Sequence, residues 1–248
     1  MGKIAAAIRD TFGKPRFCSA VILAGGSGTR FSSQTPKQFT KIAGKTVLLR
    51  AAEAFEKCGE VSEIIVVTTA DTVEKTRSLL RKNGINKLTR VVVGGNTRTK
   101  SAKNGFEAVN PACEFVAIHD AARCLITPDM ITEAFQAAFV VGAAACASRC
   151  TDTIKKCDAS DRIRSTIERD HVWTVQTPQV FRSEMYRAAV YYAEKDKVEA
   201  TDDCALCERI HQKIQLVDVG KTNIKITYPE DVLLAEAILA MREKEKTE

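Results

Sequence analysis

The chain has 248 residues, of which 45% are hydrophobic and 27% charged, and its formal net charge is +6. No stretch reaches the roughly 18 consecutive apolar residues of a membrane-spanning helix, and a sequence with 6% aromatic residues and no aromatic–basic alternation does not favour single-stranded nucleic acid as a partner. We therefore expect one globular domain over residues 1–248 that binds neither membrane nor nucleic acid, and whose positive charge suits a small anionic substrate.

The first predicted element is a buried strand over residues 19–23, which runs into the glycine-rich segment GGSGTRF and then TPKQ. Glycines let a ligand approach the backbone, and successive N–H groups in such a loop bind anions. Arg30 and Lys37 add positive charge. The dinucleotide fingerprint would need glycine where Phe31 stands, and the Walker A pattern would need a lysine directly after Gly28. The segment therefore predicts a different polyphosphate-binding loop, with a plain strand-to-helix turn as the alternative.

Strand and helix patterns then alternate regularly as far as residue 148. The predicted strands are 63–68, 89–93, 114–118 and 143–148, and the predicted helices are 46–58, 71–82, 99–109 and 128–139. This alternation favours an α/β fold with a Rossmann-like, mostly parallel twisted sheet flanked by helices. Ligands of such sheets bind beyond the carboxyl ends of the strands. The glycine-rich loop, Gly94-Gly95 and His119-Asp120 all follow strands, so we expect them to meet at one edge.

The pattern changes at residues 150–176, which show no helical periodicity. Extended stretches at 151–156 and 163–169 surround the polar turn DASD and predict a protruding β-hairpin arm. A two-stranded hairpin is marginally stable alone, so we expect it to pack on a second subunit as a dimerisation arm. Beyond it we predict helices at 183–193, 201–209 and 229–243, a strand at 213–217 and a short extended segment at 223–227.

Two charged residues stand out among the candidates for chemistry. Asp120 at a strand end could hold Mg²⁺, or could form an ion pair with Arg123. Lys225 lies in the apolar segment NIKIT, where a charge is costly unless it is paired or faces a cleft; an edge-strand lysine is the alternative. The segments TPQ and TDD carry groups suited to a phosphate or polyol, although turns use the same residues. The three scattered histidines indicate no nucleophilic triad.

The chain contains nine cysteines, an odd number, several of them within apolar patterns. Cys204-x-x-Cys207 has the spacing of a metal-binding pair, but one pair supplies only two of the four ligands that zinc usually needs. Residues 1–16 lack the apolar core of a signal peptide. We therefore expect a cytoplasmic protein with reduced thiols.

Seven segments in order carry a family resemblance: GGSGTRF…PKQF, GGNTRTKS, HDAAR, DTIK, RDHVWTVQTPQVF, TDD and NIKIT. Over about residues 18–241 the chain resembles the 2-C-methyl-D-erythritol 4-phosphate cytidylyltransferase family, whose nearest relative is ribitol-5-phosphate cytidylyltransferase. The resemblance implies a single nucleotidyltransferase domain that joins CTP to a polyol phosphate, with Mg²⁺ as cofactor, and releases pyrophosphate. Methylerythritol phosphate, in the non-mevalonate isoprenoid pathway, is the first candidate acceptor. The alternatives are ribitol 5-phosphate, for cell-wall polymers, and a non-catalytic nucleotide-binding regulator.

The resemblance also implies roles for individual residues. The implied catalytic residues are Arg30, Lys37, Lys225 and Asp120, of which Asp120 also serves the metal. The implied nucleotide-binding residues are Ala24, Gly25, Gly26, Ser27, Gly28, Gly94, Gly95, Ser101 and Ala121. The implied substrate-binding residues are Arg123, Thr153, Arg169, Thr177 and Thr201. Because the family is a homodimer with exchanged arms, Thr153 and Arg169 would reach the neighbouring subunit's site. Cys124, where the family commonly has proline, and Lys100, where an acidic or amide residue is more usual, depart from its pattern.

Overall fold

The computed structural model describes residues 16–26, 31 and 36–245, and the predictions for Ser27, Gly28 and Arg30 lie outside these residues. The strands are β1 (Cys18–Leu23), β2 (Lys41–Ile42), β3 (Lys45–Thr46), β4 (Glu63–Thr68), β5 (Leu88–Val93), β6 (Phe115–Asp120), β7 (Ala143–Arg149), β8 (Ile154–Cys157), β9 (Ile163–Ile167), β10 (Trp173–Arg182) and β11 (Gln215–Asp218). The α-helices are α1 (Val47–Lys57), α2 (Val73–Lys82), α3 (Arg98–Glu107), α4 (Pro128–Val141), α5 (Ser183–Lys195), α6 (Asp203–Arg209) and α7 (Asp231–Lys244).

Seven strands form the central sheet in the order β11-β7-β10-β6-β1-β4-β5. The pairings of β1 with β4 and β6, of β4 with β5 and of β7 with β11 are parallel. Only β10 runs antiparallel to its neighbours β6 and β7. The mostly parallel α/β architecture is therefore confirmed.

Strand β10 was not predicted, and it begins inside the segment assigned to the arm. Its sequence contains Pro178, which has no N–H group and therefore argues against a central strand. The structure accommodates the proline where the register against β7 shifts, between Val175 and Gln179. The peptide bond from Thr177 to Pro178 is cis. A bulge at this point lets a proline lie in a strand with neighbours on both sides.

The core has two layers because the buried strands carry apolar side chains on both faces. In β1, Ala20 and Ile22 contribute to one cluster with helices α1, α2 and α4, whereas Val21 contributes to the other with α3, α5 and α6. This alternation follows from the two-residue period of a strand. Helix α3 lies close to the sheet, since a Cβ atom on Gly105 would come within 2.3 Å of Val21 Cγ1.

Residues 223–227, predicted as a short extended segment, belong to no strand of a sheet. Instead, the side chain of Asn223 donates to Gln176 Oε1 and to the Thr177 carbonyl, and the Ile226 N–H donates to the Ala122 carbonyl. Side-chain bonds of this kind have no periodic signal, so the sequence pattern could not indicate them.

The predicted hairpin at the arm is confirmed as the antiparallel pair of β8 and β9. Of its nine strand residues, only Ile154 is not exposed. Among the helices of the described residues, none has the length and apolar character needed to cross a membrane.

Candidate active site

A cleft of about 570 Å³ lies at the carboxyl ends of β1 and β6, and we call it the main cleft. The predicted site residues that line it are Ala24, Gly25, Gly26, Lys37, Gly95, Ser101, Asp120, Ala121 and Lys225. They come from five stretches of the chain, 24–26, 37, 95–101, 120–121 and 225, which the fold brings to one edge of the parallel sheet. The predicted convergence at this edge is confirmed.

The glycine pair that follows β5 packs against the first turn of α3. A Cβ atom on Gly95 would lie 2.4 Å from Lys100 Cβ, and one on Gly94 would lie 2.8 Å from Ser101 Oγ. The Ser101 hydroxyl accepts from the Gly95 N–H at 3.1 Å and donates to the Thr97 carbonyl at 2.9 Å. Both glycines are therefore required for packing, and they hold the loop where the main cleft begins.

Asp120, the last residue of β6, forms two ion pairs at the floor of the main cleft. One carboxylate oxygen accepts from Arg98 Nε at 3.1 Å and the other from Lys225 Nζ at 2.7 Å. Burial alone would raise the pKa of this carboxyl group, but the charges of Arg98 and Lys225 hold it below the ordinary aspartate value. Asp120 is therefore a carboxylate at any physiological pH.

Arg123 does not supply the ion pair that the sequence suggested for Asp120. Its Nη1 donates to the Asn223 carbonyl at 2.9 Å, and its Nη2 lies 3.4 Å from the Val175 carbonyl. Burial lowers the pKa of the Arg123 guanidinium, although this group remains far above the physiological range. The side chain therefore joins the NIKIT segment to β10.

A second cavity of about 370 Å³ adjoins the main cleft, and we call it the side cavity. Arg123, Arg149, Lys221 and Lys225 line it, together with one acidic residue, Asp152. Lys225 lines both spaces. Its side chain therefore borders both cavities, with the ammonium group 2.7 Å from Asp120 Oδ2, so of the two possibilities left open by the sequence the structure shows a paired lysine at a cleft and not one on an edge strand.

Four of the predicted substrate-binding residues line neither cavity within the described part of the chain: Thr153, Arg169, Thr177 and Thr201. Thr153 and Arg169 are exposed at the base of the arm, where Arg169 Nη1 donates to the Thr151 carbonyl at 2.9 Å. Thr201 is exposed just before α6. The predicted contacts of these three residues with the substrate therefore depend on what packs against the arm and against the loop that contains Thr201.

Thr177 is buried, and its hydroxyl contacts the strand that carries Asp120. It accepts from the Asp120 N–H at 3.0 Å and lies 3.1 Å from His119 Nδ1. Burial lowers the pKa of His119 to about 3, so its imidazole is neutral and can accept the threonine hydrogen through Nδ1. The Thr177 hydroxyl therefore supports the end of β6 from inside.

One residue of this network, Arg98, was not singled out from the sequence, whereas its partner Asp203 belongs to the segment TDD. Arg98 pairs with Asp120 and also with Asp203, which lies at the start of α6 and is completely buried. A signal for Arg98 does exist, because a cation in the first turn of a helix opposes the helix dipole. Its placement there calls for nearby carboxylates, which the sequence does not locate.

The main cleft, bordered by glycines and cationic side chains at the carboxyl edge of an α/β sheet, suits a phosphorylated ligand, as the site of a nucleotidyltransferase must. The sequence profile of the 2-C-methyl-D-erythritol 4-phosphate cytidylyltransferase family matches residues 18–241. The chain belongs to this family.

Individual relatives agree with this assignment. The enzyme of this name from Caldanaerobacter subterraneus subsp. tengcongensis is 42% identical over 222 residues, which are 89% of this chain and 98% of the relative. The one from Alkaliphilus metalliredigens is 36% identical over 225 residues, or 90% and 93%. A crystal structure of 4-diphosphocytidyl-2C-methyl-D-erythritol synthase from Anaerococcus prevotii superposes with a TM-score of 0.81 at 28% identity, covering 91% of this chain and 97% of that one.

Proposed function

We propose that the chain transfers the cytidylyl group of CTP to 2-C-methyl-D-erythritol 4-phosphate, forming 4-diphosphocytidyl-2-C-methyl-D-erythritol and pyrophosphate in isoprenoid synthesis. It does so as a single nucleotidyltransferase domain. The observation that best supports this proposal, beside the family, is the position of Lys225 between the main cleft and the basic side cavity. An enzyme that joins two phosphates needs a cation at the place where the two phosphates meet.

In the proposed reaction an oxygen of the acceptor phosphate forms a bond to the α-phosphorus of CTP. The bond from that phosphorus to the oxygen bridging to the β-phosphate breaks, and pyrophosphate leaves with the electron pair. The acceptor phosphate is already an anion, so no general base is required. Catalysis then consists of positioning and charge stabilisation. Lys37 and Lys225, which both line the main cleft, supply that charge, with Arg30 as the third predicted cation.

The nucleotide occupies the main cleft in this proposal. The backbone of the loop after β1 and the loop between β5 and α3 would surround it, and Ser101 would border its base. The proposed nucleotide-binding residues are Ala24, Gly25, Gly26, Ser27, Gly28, Gly94, Gly95, Ser101 and Ala121.

The site suits a divalent cation of the Mg²⁺ type. Such an ion is commonly held by one or two carboxylates together with substrate phosphates and water, and Asp120 lines the main cleft as a carboxylate. Each of its oxygens makes one contact to a cation, and an ionised carboxylate has about four lone-pair sites. Bound there, the ion would neutralise triphosphate charge. Among the described residues there is no cluster of three metal-ligating side chains, so the phosphates would supply the remaining ligands.

The acceptor phosphate occupies the side cavity beside Arg123 in this proposal. The exposed arm crosses to a second copy of the chain, where Thr153 and Arg169 complete the neighbouring acceptor site. Thr201 contributes from the edge, and Thr177 acts through the end of β6, because its hydroxyl is already bonded there. All nine cysteines are free thiols, as a reducing compartment such as the cytoplasm would keep them.

The test is pyrophosphate release from CTP and Mg²⁺, with methylerythritol 4-phosphate and ribitol 5-phosphate offered in parallel and a reaction without acceptor as the control. We expect a strong preference for methylerythritol 4-phosphate. A preference for ribitol 5-phosphate would agree with the proposed chemistry and contradict the proposed acceptor. If pyrophosphate were released with neither of the two acceptors, or with both only as much as in the control without acceptor, the proposed activity would be contradicted.

A further inference from the structure

A continuous chain of polar contacts leads from the interior behind α3 to the ammonium group of Lys225. Tyr186 Oη donates to Asp203 Oδ1 at 2.6 Å, and Arg98 Nη1 donates to Asp203 Oδ2 at 2.7 Å. Arg98 Nε then donates to Asp120 Oδ1 at 3.1 Å, and Lys225 Nζ donates to Asp120 Oδ2 at 2.7 Å. The carboxylates of Asp203 and Asp120 are thus each contacted through both of their oxygens.

The most rigid part of this series of polar contacts is the part that lies furthest from the main cleft. Tyr186 and Asp203 are completely buried. Asp203 is also fixed through its backbone, because its N–H donates to Gln179 Oε1 at 3.0 Å. Tyr186 packs against the rings of Phe106 and Phe181. Asp203 is therefore an anchor that does not depend on the contents of the main cleft.

The guanidinium group transfers this rigidity to the cleft. It is planar, and its donors lie in a fixed fork, so binding Asp203 through Nη1 sets the direction in which Nε points. Nε in turn holds one oxygen of Asp120, which leaves the other oxygen directed at Lys225. Arg98 is the first residue of α3 and directly follows the cap Thr97, whose hydroxyl accepts from the Lys100 N–H. The backbone at this position is therefore fixed as well.

We propose that Arg98 is a positioning residue: it transmits the fixed geometry of Asp203 to Asp120 and so sets where the Lys225 ammonium lies between the two cavities. This inference rests on the proposed function, in which Lys225 stabilises the reacting phosphates. Arg98 also lines the main cleft, so the KM for CTP separates the two roles: a direct contact with the nucleotide would raise it, whereas positioning of Lys225 leaves it unchanged. Its loss would displace Lys225, and a displacement of the order of 1 Å can slow a reaction about 100-fold.

The variant must avoid leaving a buried carboxylate without its partner. Removing Arg98 alone would do so at Asp203, and such a charge is strongly destabilising. We therefore pair Arg98→Met with Asp203→Asn, which removes the charge and keeps an oxygen for the tyrosine hydroxyl. Arg98→Lys is the conservative variant, because a single ammonium can retain one of the two ion pairs. Lys103→Met is the matched control, since Lys103 also lies on α3 and pairs with Glu194 of α5 outside the cleft.

The kinetic test measures kcat and both KM values in the wild type, in these variants, and in the Arg98→Met/Asp203→Asn pair combined with Lys225→Met. The pair should lower kcat about 10- to 100-fold with little change in the KM for CTP, Arg98→Lys should recover part of the loss, and Lys103→Met should behave as the wild type. In the Lys225→Met background the pair should change kcat by less than about twofold, because residues acting through one group are not additive. An unchanged kcat for the pair, or a full additional loss without Lys225, would overturn the proposal.

A crystal structure of the Arg98→Met/Asp203→Asn variant provides a readout that does not need activity. The proposal predicts that the Asp120 carboxylate turns and that Lys225 Nζ, which contacts it at 2.7 Å, shifts by about 1 Å or more relative to the backbone of β6. An unchanged position of Lys225 Nζ would overturn the positioning role, even if the wild type proved active. An inactive wild type would instead contradict the proposed function, and the crystallographic result would still decide the geometry.

Discussion

The main cleft and the arm both carry predicted site residues, but the chain builds them in opposite ways. Strands β1 and β6, which end at the cleft, have side chains buried on both faces of the sheet. Strands β8 and β9 of the arm expose every side chain except that of Ile154. The cleft is therefore positioned by the hydrophobic core, whereas within the described part of the chain no core of this kind packs against the arm.

This difference bears on what each region can do alone. Burying an isoleucine or valine side chain stabilises a fold by about 1.5–3 kcal/mol, and the arm forgoes that gain at Ile163 and Ile167, which are 65% and 40% exposed. A two-stranded ribbon with such exposure is marginal in water. The contrast supports a division in which the cleft binds the nucleotide and the arm completes a site on a second subunit.

The largest expected effect is on the cleft side. Lys37→Ala should leave folding intact and lower kcat by about 100- to 1,000-fold, because it removes a charge aimed at the developing transition state. Circular dichroism and pyrophosphate release would measure the two quantities. Lys41→Ala, at an exposed position in β2, is the matched control. Turnover near the wild-type rate in Lys37→Ala would refute the assigned role.

On the arm side the expected effect is smaller and appears in a different constant. Arg169→Ala should raise the KM for the acceptor about 10- to 100-fold, the range expected for a lost hydrogen bond to a charged group, while the KM for CTP stays unchanged. Arg164→Ala, an exposed arginine of β9, serves as the control. A rise in both KM values would mean that Arg169 does not serve the acceptor alone, and the division of the site would fail.

The association of two arms should be sensitive to their exposed apolar residues. Ile163→Asp should weaken self-association roughly tenfold, since burial of the exposed part of this side chain contributes about 1.5 kcal/mol. Sedimentation velocity at several protein concentrations measures this. Val140→Asp changes a residue that is 75% exposed on α4 and lies outside the arm, so it should leave association unchanged. Equal effects of the two substitutions would argue against an interface at the arm.

The smallest effect concerns the cysteines, which divide along the same line. Seven are buried in the body of the protein, whereas Cys157 is exposed on β8 and Cys150 is half-buried at its base. Burial raises the pKa of Cys124 to about 11 and that of Cys146 to about 12, so both remain unreactive thiols at neutral pH. Brief alkylation at pH 7.5 followed by mass spectrometry should modify Cys157 first and Cys150 second. Early modification of Cys204 or Cys207 would contradict the buried core.

The buried strands were predictable because their pattern is strong. Strand β4 occupies residues 63–68 as predicted, since an uninterrupted apolar run leaves little choice of boundary. Strand β10 was missed because Pro178 argues against a central strand, and only the bulge reveals how it is accommodated. A local sequence pattern thus predicts regular strands and helices more readily than it predicts a strand that contains an irregularity.

The candidate site divides in a similar way. Asp120 ends a strand and the glycine loops follow strands, so chain order placed them at one edge. Arg98 was missed because its partner Asp203 is 105 residues away in sequence, and no local pattern connects them. Lys225 was identified, but its segment forms no strand and depends on the side chain of Asn223. Long-range polar contacts are what the sequence alone does not locate.

The central claim, that a cleft from one subunit and an arm from another form each site, is tested most directly by subunit complementation. The Lys37→Ala and Arg169→Ala proteins are mixed in equal amounts, dissociated and allowed to reassociate. Pyrophosphate release is then measured at an acceptor concentration far below the KM that the Arg169→Ala protein has for the acceptor. Half of the dimers are then mixed, and one of the two sites in each mixed dimer is intact, so activity should recover to about one quarter of the wild-type value. Activity no greater than the sum of the two separate variants would contradict the account.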